Sequence, residues 1–231
     1  MIINLFESEI LKNIVLYFMQ DYKNKIDIIR FISERLKSHL PGRKAQIKMA
    51  PSINGQFIRG FEAPKNAKES SVLLLLFPNQ EDSDLNILFT LRSNNLKSHS
   101  GQISFPGGRK EKNETLLETA LRETREEIGI DTSDIQVLGK LSTLYVPPSN
   151  AVIHPFVAYI DSLPETKPNH NEVVEVFPVS LNYFLENRYE KQIWDYNGYK
   201  MDVPLWNVHN TTPLWGATAM ILMEFLTLFK E

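Results

Sequence analysis

The chain has 231 residues, of which 42% are hydrophobic and 23% charged, and its formal net charge is -3. That length suits one sizeable domain, or one domain with an extension, and the mild negative charge argues against a surface built for nucleic acid or anionic membranes. There is no cysteine, which removes disulfides, thiolate metal sites and cysteine nucleophiles and fits a reducing compartment, so the cytoplasm is the expected location.

The first segment, MIINLFESEILKNIVLYFMQ, is interrupted by Glu7, Glu9 and Lys12 and lacks a basic region followed by an unbroken apolar stretch. It reads as an amphipathic helix in an N-terminal extension over 1–24, or as sequence upstream of a functional start at Met19. Residues 25–70 read as a helix and a linker. Apolar positions from Ile26 to Leu40 have helical spacing, PGRK is expected to end that helix, and residues 41–70 are rich in Pro, Gly, Asn and Lys. The main domain is expected over 71–231. It begins with two strands, SVLLLLF and LNILFTLR, separated by the polar turn NQEDSD. The longest apolar run, Val72 to Pro78, is too short to span a bilayer.

A polar stretch, SNNLKSHSGQIS, then leads through FPGG to a helix from about Thr115 to Ile128, with Gly129 placed to stop it. Strands are predicted over Ile135–Val146 and His154–Ile160, and again in VVEVFPVSL after the polar loop PETKPNHNE. WGATAMILMEFLTLF reads as a closing helix whose Phe225 and Phe229, with Trp206 and Trp215, pack on the core. Strands before and after a central helix predict an α/β fold, a mixed β-sheet sandwiched between helices (an α/β/α sandwich).

The central helix carries the chemistry. At about 100° per residue, Leu117, Ala120, Leu121, Thr124 and Ile128 share one face, which should pack on the sheet. Glu123, Glu126 and Glu127, spaced i, i+3 and i+4, share another. Three carboxylates so close repel one another unless a cation sits between them, and hard oxygen ligands suit Mg²⁺ or Mn²⁺. Alone, an E-x-x-E-E run reads as a solvated acidic face.

The surrounding spacing decides between these. Gly108, Glu114, Arg122, Glu123, Glu126, Glu127, Gly129 and Ile130 match G-x5-E-x7-R-E-U-x-E-E-x-G-U, where U is aliphatic. A chance match has odds on the order of one in a million at average residue usage. The chain thus resembles the Nudix hydrolases, with Thr124 standing where an aliphatic residue is commoner. The resemblance implies the Nudix fold and hydrolysis of a diphosphate by water. It implies Glu123, Glu126 and Glu127 as metal ligands with the carbonyl of Gly107, and Glu126 also in the catalytic set. Glu114 is implied to order the site through Arg122, which in turn orients Glu123. A further carboxylate from a distant loop often serves such enzymes as base. Glu172 is the candidate here, and Glu175 the second choice.

Upstream, LFTLRSNNLKSHSGQISFPGG resembles the pattern preceding the box in Nudix coenzyme A pyrophosphatases, through Leu88, Thr90, Arg92, Ser93, Gly101, Phe105, Pro106, Gly107 and Gly108. Phe89 replaces a leucine, and Lys97 replaces an arginine, keeping the charge but losing the planar fork. NEVVEVFPVSL (171–181), LWGATAMIL (214–222) and KMAP (48–51) resemble other parts of the same enzymes. The implied substrate is coenzyme A or a derivative, a small molecule cleaved to 3′,5′-ADP and 4′-phosphopantetheine, with Arg92, Ser93, Lys97, His99 and Phe105 as candidate substrate-binding residues. No nucleic acid or membrane partner is expected, and a homodimer stays open. Competing readings are a Nudix pyrophosphatase for ADP-ribose or a dinucleotide, and an inactive ligand-binding module. The four retained box glutamates weigh against the latter. His154, His170 and His209 lack metal-ligand spacing, and there is no G-x-S-x-G elbow or Walker loop.

Overall fold

A computed structural model describes residues 25–57, 60, 62–79, 84–94 and 101–230. The expected N-terminal extension, Met19, Lys97 and His99 lie outside the described residues. In chain order the elements are α1 (Lys25–Lys37), α2 (Gly42–Gln46), a 3-10 turn (Ile47–Met49), β1 (Ser52–Ile53), β2 (Gln56–Phe57), β3 (Lys68–Pro78), β4 (Leu85–Arg92), β5 (Ile103–Ser104) and β6 (Gly107–Arg109). Then come α3 (Leu116–Ile128), β7 (Gln136–Lys140), β8 (Leu144–Val146), β9 (Ala151–Tyr159), β10 (Val173–Ser180), α4 (Leu181–Glu186), β11 (Glu190–Tyr196), β12 (Tyr199–Trp206), β13 (Leu214–Trp215) and α5 (Gly216–Thr227).

The large sheet has the order β10-β4-β3-β9-β7, with β5 on β4, β6 on β3 and β8 on β9. It is mixed: β3 and β9 run parallel, Leu73 opposite Phe156, and the other ladders are antiparallel. Leu73 to Leu76 on β3 are all fully buried. Such a run marks a strand covered on both faces, and each leucine contributes about 1.5–3 kcal/mol through burial. Alternation sorts them. Leu73 and Leu75 join Leu88, Ala120, Ile128 and Ala158 under α3, whereas Leu74 and Leu76 join Ile32, Ile87, Phe89 and Phe225 on the side of α1 and α5. The sheet is therefore sandwiched between helices, as expected. No helix among the described residues is long and apolar enough to cross a membrane.

Three local expectations change. The first helix stops at Lys37, ahead of PGRK, but the stretch after it is not all linker, because Gly42–Gln46 forms α2, whose Gly42 N–H donates to the buried Glu224 carboxylate of α5 at 3.1 Å. The strand read over 135–146 is two strands, β7 and β8. A second sheet, β11-β12-β1-β2 with β13 on β12, occupies segments left as linker or unassigned. Its Trp194 packs edge-on against Trp215, with ring centroids 4.8 Å apart, so Trp215 serves this sheet, while Phe225 and Trp206 lie in the main core.

Candidate active site

β3 has two partners on one edge. Its C-terminal end pairs with β4 (Leu76 opposite Ile87), and its N-terminal end pairs with β6 (Val72 opposite Gly107). β4 therefore diverges from β3 and carries Arg92 towards the β5–β6 segment, which enters the fork. The approach is close. A Cβ on Gly107 would lie 2.3 Å from Ser71 O, and one on Gly108 would lie 2.4 Å from Glu123 Cδ. Glycine is required at the first for the sheet and at the second for the Glu123 carboxylate, which lies against the backbone there.

α3 crosses this junction. Thr115 caps it in a capping box with Glu118, and Gly129, at φ 72, ends it. The buried Thr124 is accommodated because its hydroxyl donates to Ala120 O one turn back, at 2.7 Å. Arg122 organises the outer side of the helix. Its Nε and Nη2 donate to the two oxygens of Glu114 at 3.0 and 2.9 Å. Nη1 donates to Glu123 and Glu126, both at 3.0 Å, and Nη2 also reaches Arg109 O at 3.2 Å. The predicted link between Glu114 and Arg122 is thus a two-pronged ion pair. Glu114 also accepts from Glu111 N–H and the Thr119 hydroxyl. Together these bonds, the Arg122 pair foremost, bring its carboxyl down to about 2. Thr119 was not singled out from sequence, and only its i+5 distance from Glu114 hinted at this role.

On the inner side, Glu127 is buried and accepts from Gly107 N–H at 3.0 Å and from Arg92 Nη1 at 3.3 Å. Burial pushes its carboxyl up to about 7; Gly107 and Arg92 oppose this, and the charges of Glu123 and Glu172 add to it. Glu123 is also raised, by burial first and then, against the pull of Arg122, by Glu126 and Glu172. Glu172 reaches this group through its loop. Lys167 and Asn169 N–H groups donate to the last carbonyls of α3, those of Ile128 and Glu127, and Glu172 O accepts from Ser93 N–H at 2.8 Å. The helix end and the strand end thus hold the loop between them. Asn169, whose Nδ2 lies 3.5 Å from Glu172 Oε1, is a second residue that sequence reasoning missed.

The structure brings Gly107, Glu123, Glu127, Glu172 and Arg92 together. Glu126 is more than half exposed and turned onto Arg122. Ser93 is buried, and its backbone holds Glu172. Phe105 is also buried, stacked on Phe89 with centroids 5.2 Å apart, so its side chain is core beneath the site and not open to a ligand. Glu175 pairs with His209 instead of facing the site. Among the described residues, no three acidic or imidazole groups surround one point in this arrangement.

The NUDIX domain model matches residues 67–197, more than half of the chain. The chain belongs to the Nudix hydrolase family. This Nudix chain is 30% identical over 185 residues to "Nudix hydrolase 3" of Caenorhabditis elegans, covering 73% of this chain and 76% of that protein. It is 40% identical over 112 residues to the "Peroxisomal coenzyme A diphosphatase NUDT7" of Mus musculus, 47% of each chain. To the "Mitochondrial coenzyme A diphosphatase NUDT8" of Homo sapiens it is 36% identical over 141 residues, 58% of this chain and 59% of that one. The alignments thus span less than two thirds of either named diphosphatase.

Proposed function

We propose that this Nudix hydrolase cleaves the diphosphate of coenzyme A or a derivative, giving 3′,5′-ADP and 4′-phosphopantetheine or its acyl form, with Mg²⁺ or Mn²⁺ as cofactor. One observation carries the reading. The segment resembling coenzyme A pyrophosphatases, Leu88 to Gly108, delivers Arg92 to the buried Glu127, while the buried Arg92 Nε has no hydrogen-bond partner among the described residues. An unused guanidinium N–H at a carboxylate cluster suits a phosphate oxygen. The similarity to two proteins named coenzyme A diphosphatases supports the same substrate.

The chemistry of the donors suits a hard dication once Glu126 leaves Arg122, since burial and neighbouring negative charge raise Glu123 and Glu127 and a cation would relieve both. Glu123, Glu126, Glu127 and the Gly107 carbonyl would hold it. When bound, the ion supplies charge neutralisation at the phosphoryl oxygens. Arg122, fixed by Glu114, orients Glu123, and Arg92 holds the substrate phosphate. Glu172 takes a proton from the water that attacks phosphorus, so a new P–O bond forms as the bridging P–O bond breaks. Ser93 positions Glu172 through its backbone. Lys97 and His99 complete the proposed substrate contacts, and the cytoplasm is the compartment assigned.

The test is product analysis with Mg²⁺ on coenzyme A, ADP-ribose, NADH and diadenosine polyphosphates. Preferential release of 3′,5′-ADP from coenzyme A is expected. Faster cleavage of ADP-ribose would overturn the substrate assignment and leave the diphosphate chemistry standing. A Glu172→Gln variant with unchanged turnover would remove Glu172 as base.

A further inference from the structure

The sheet edges among the described residues are finished in different ways. β10 carries Pro178, which has no N–H to offer, and its ladder shifts register between Val173 and Glu175. β7 shifts register between Val137 and Gly139 and has α1 packed against it, and β2 is two residues long. Prolines, bulges, coverage and shortness all discourage pairing with another chain.

Among the described residues β11 has none of these devices. Its seven residues pair with β12 in unbroken register from Glu190–Leu205 to Tyr196–Tyr199, with no proline. Asn197 and Gly198, at φ 52 and 79, form the two-residue turn. Tyr196 and Tyr199 are then a hydrogen-bonded pair, so the N–H and C=O groups of residues 190, 192, 194 and 196 point at β12. Those of Lys191, Ile193 and Asp195 point to the open edge. All three side chains are exposed and share one face. Ile193, 69% exposed, is the most exposed large hydrophobic among the described residues.

We propose that β11 is the docking edge for a second copy of this chain, the two β11 strands pairing antiparallel about a two-fold axis at Ile193. The strand is self-complementary in that register. Ile193 meets the partner's Ile193 at the centre, and Lys191 meets the partner's Asp195 on either side, each pair exchanging two backbone hydrogen bonds. Shifting by two residues sets Lys191 against the partner's Ile193 or beyond the strand, and both charge pairs are lost. Asp195 already accepts from Gly198 N–H, and one of its oxygens lies 3.8 Å from Lys200 Nζ, so Lys191 from the other copy adds a cation to an acceptor that the turn holds in place. The contact uses one patch on both copies and therefore closes at a dimer.

Sedimentation equilibrium of the full chain, with amide hydrogen exchange of β11, tests this. The expected result is a mass approaching twice 26.7 kDa as concentration rises, with slowed exchange at Lys191, Ile193 and Asp195 that is lost on dilution. Lys191→Glu faces the partner's Asp195 with a like charge and should weaken association roughly tenfold or more. Ile193→Pro removes an edge N–H that β12 does not use and should leave a monomer. A monomer at every concentration overturns the proposal, as does a dimer indifferent to Lys191→Glu. Slow edge exchange in a monomer overturns it equally, because the edge is then protected within one chain.

Discussion

Alanine at Gly107 and at Gly108, made one at a time, should separate what holds the sheet from what aims the chemistry. On Gly107 the added Cβ would lie 2.3 Å from Ser71 O and 2.6 Å from Val72 Cα, both backbone atoms of β3, and its φ of 154 suits no side chain. β6 would have to withdraw by about 1 Å from β3, weakening the Gly107 N–H bond to the buried Glu127. Overpacking at about 1–3 kcal/mol and an under-satisfied buried acceptor at about 1–3 kcal/mol together give a loss of about 2–6 kcal/mol. At about 2–4 °C per kcal/mol for a chain of this size, Tm should fall by roughly 4–24 °C. On Gly108 the clash is with the Glu123 carboxylate, a side-chain end that can swing aside. Stability should fall by only about 1 kcal/mol, but a carboxylate displaced by about 1 Å should cost on the order of 100-fold in turnover. Thermal unfolding by circular dichroism, beside turnover on the best substrate of the panel, reads both. If Gly108→Ala lost as much Tm as Gly107→Ala, or kept turnover within about threefold, the reasoning would be refuted.

Two further outcomes are expected. Glu224, fully buried on α5, accepts from Gly42 N–H, Ser142 N–H and Gln46 Nε2. Glu224→Ala should orphan two backbone donors and cost about 2–4 kcal/mol in urea unfolding, and a loss below about 1 kcal/mol would deny this network its role. Glu114 titrates at about 2 when folded against an ordinary value of 4.5. Its stabilising effect is therefore complete above about pH 4.5 and lost as pH falls towards about 2, because the unfolded carboxyl takes its proton first. The urea-midpoint gap between the wild type and Glu114→Gln should stay constant above about pH 5 and close on acidification. A gap unchanged between pH 7 and pH 3 would contradict it.

The box helix was legible because its signals are local: apolar spacing from Leu117 to Ile128, and Gly129 at the end. The buried strands β3 and β4 were legible for the same reason, their hydrophobic runs naming them without reference to any neighbour. The helix over Gly42–Gln46 was hidden in the linker reading because a carboxylate 182 residues away satisfies Gly42 N–H. The hairpin of β11 and β12 was marked by Asn197–Gly198 and left unassigned, its sheet being completed by β1 from the far end of the chain. Sequence alone determined the family and set Glu123, Glu126 and Glu127 together on one helix, because helical spacing is a property of neighbours. Only the tertiary structure decided which of them face one another. Arg92 meets Glu127 because β4 forks from β3, and Glu172 arrives because the open carbonyls of α3 take the N–H groups of Lys167 and Asn169. Those meetings depend on burial and on satisfying distant backbone groups, and no local pattern carries either.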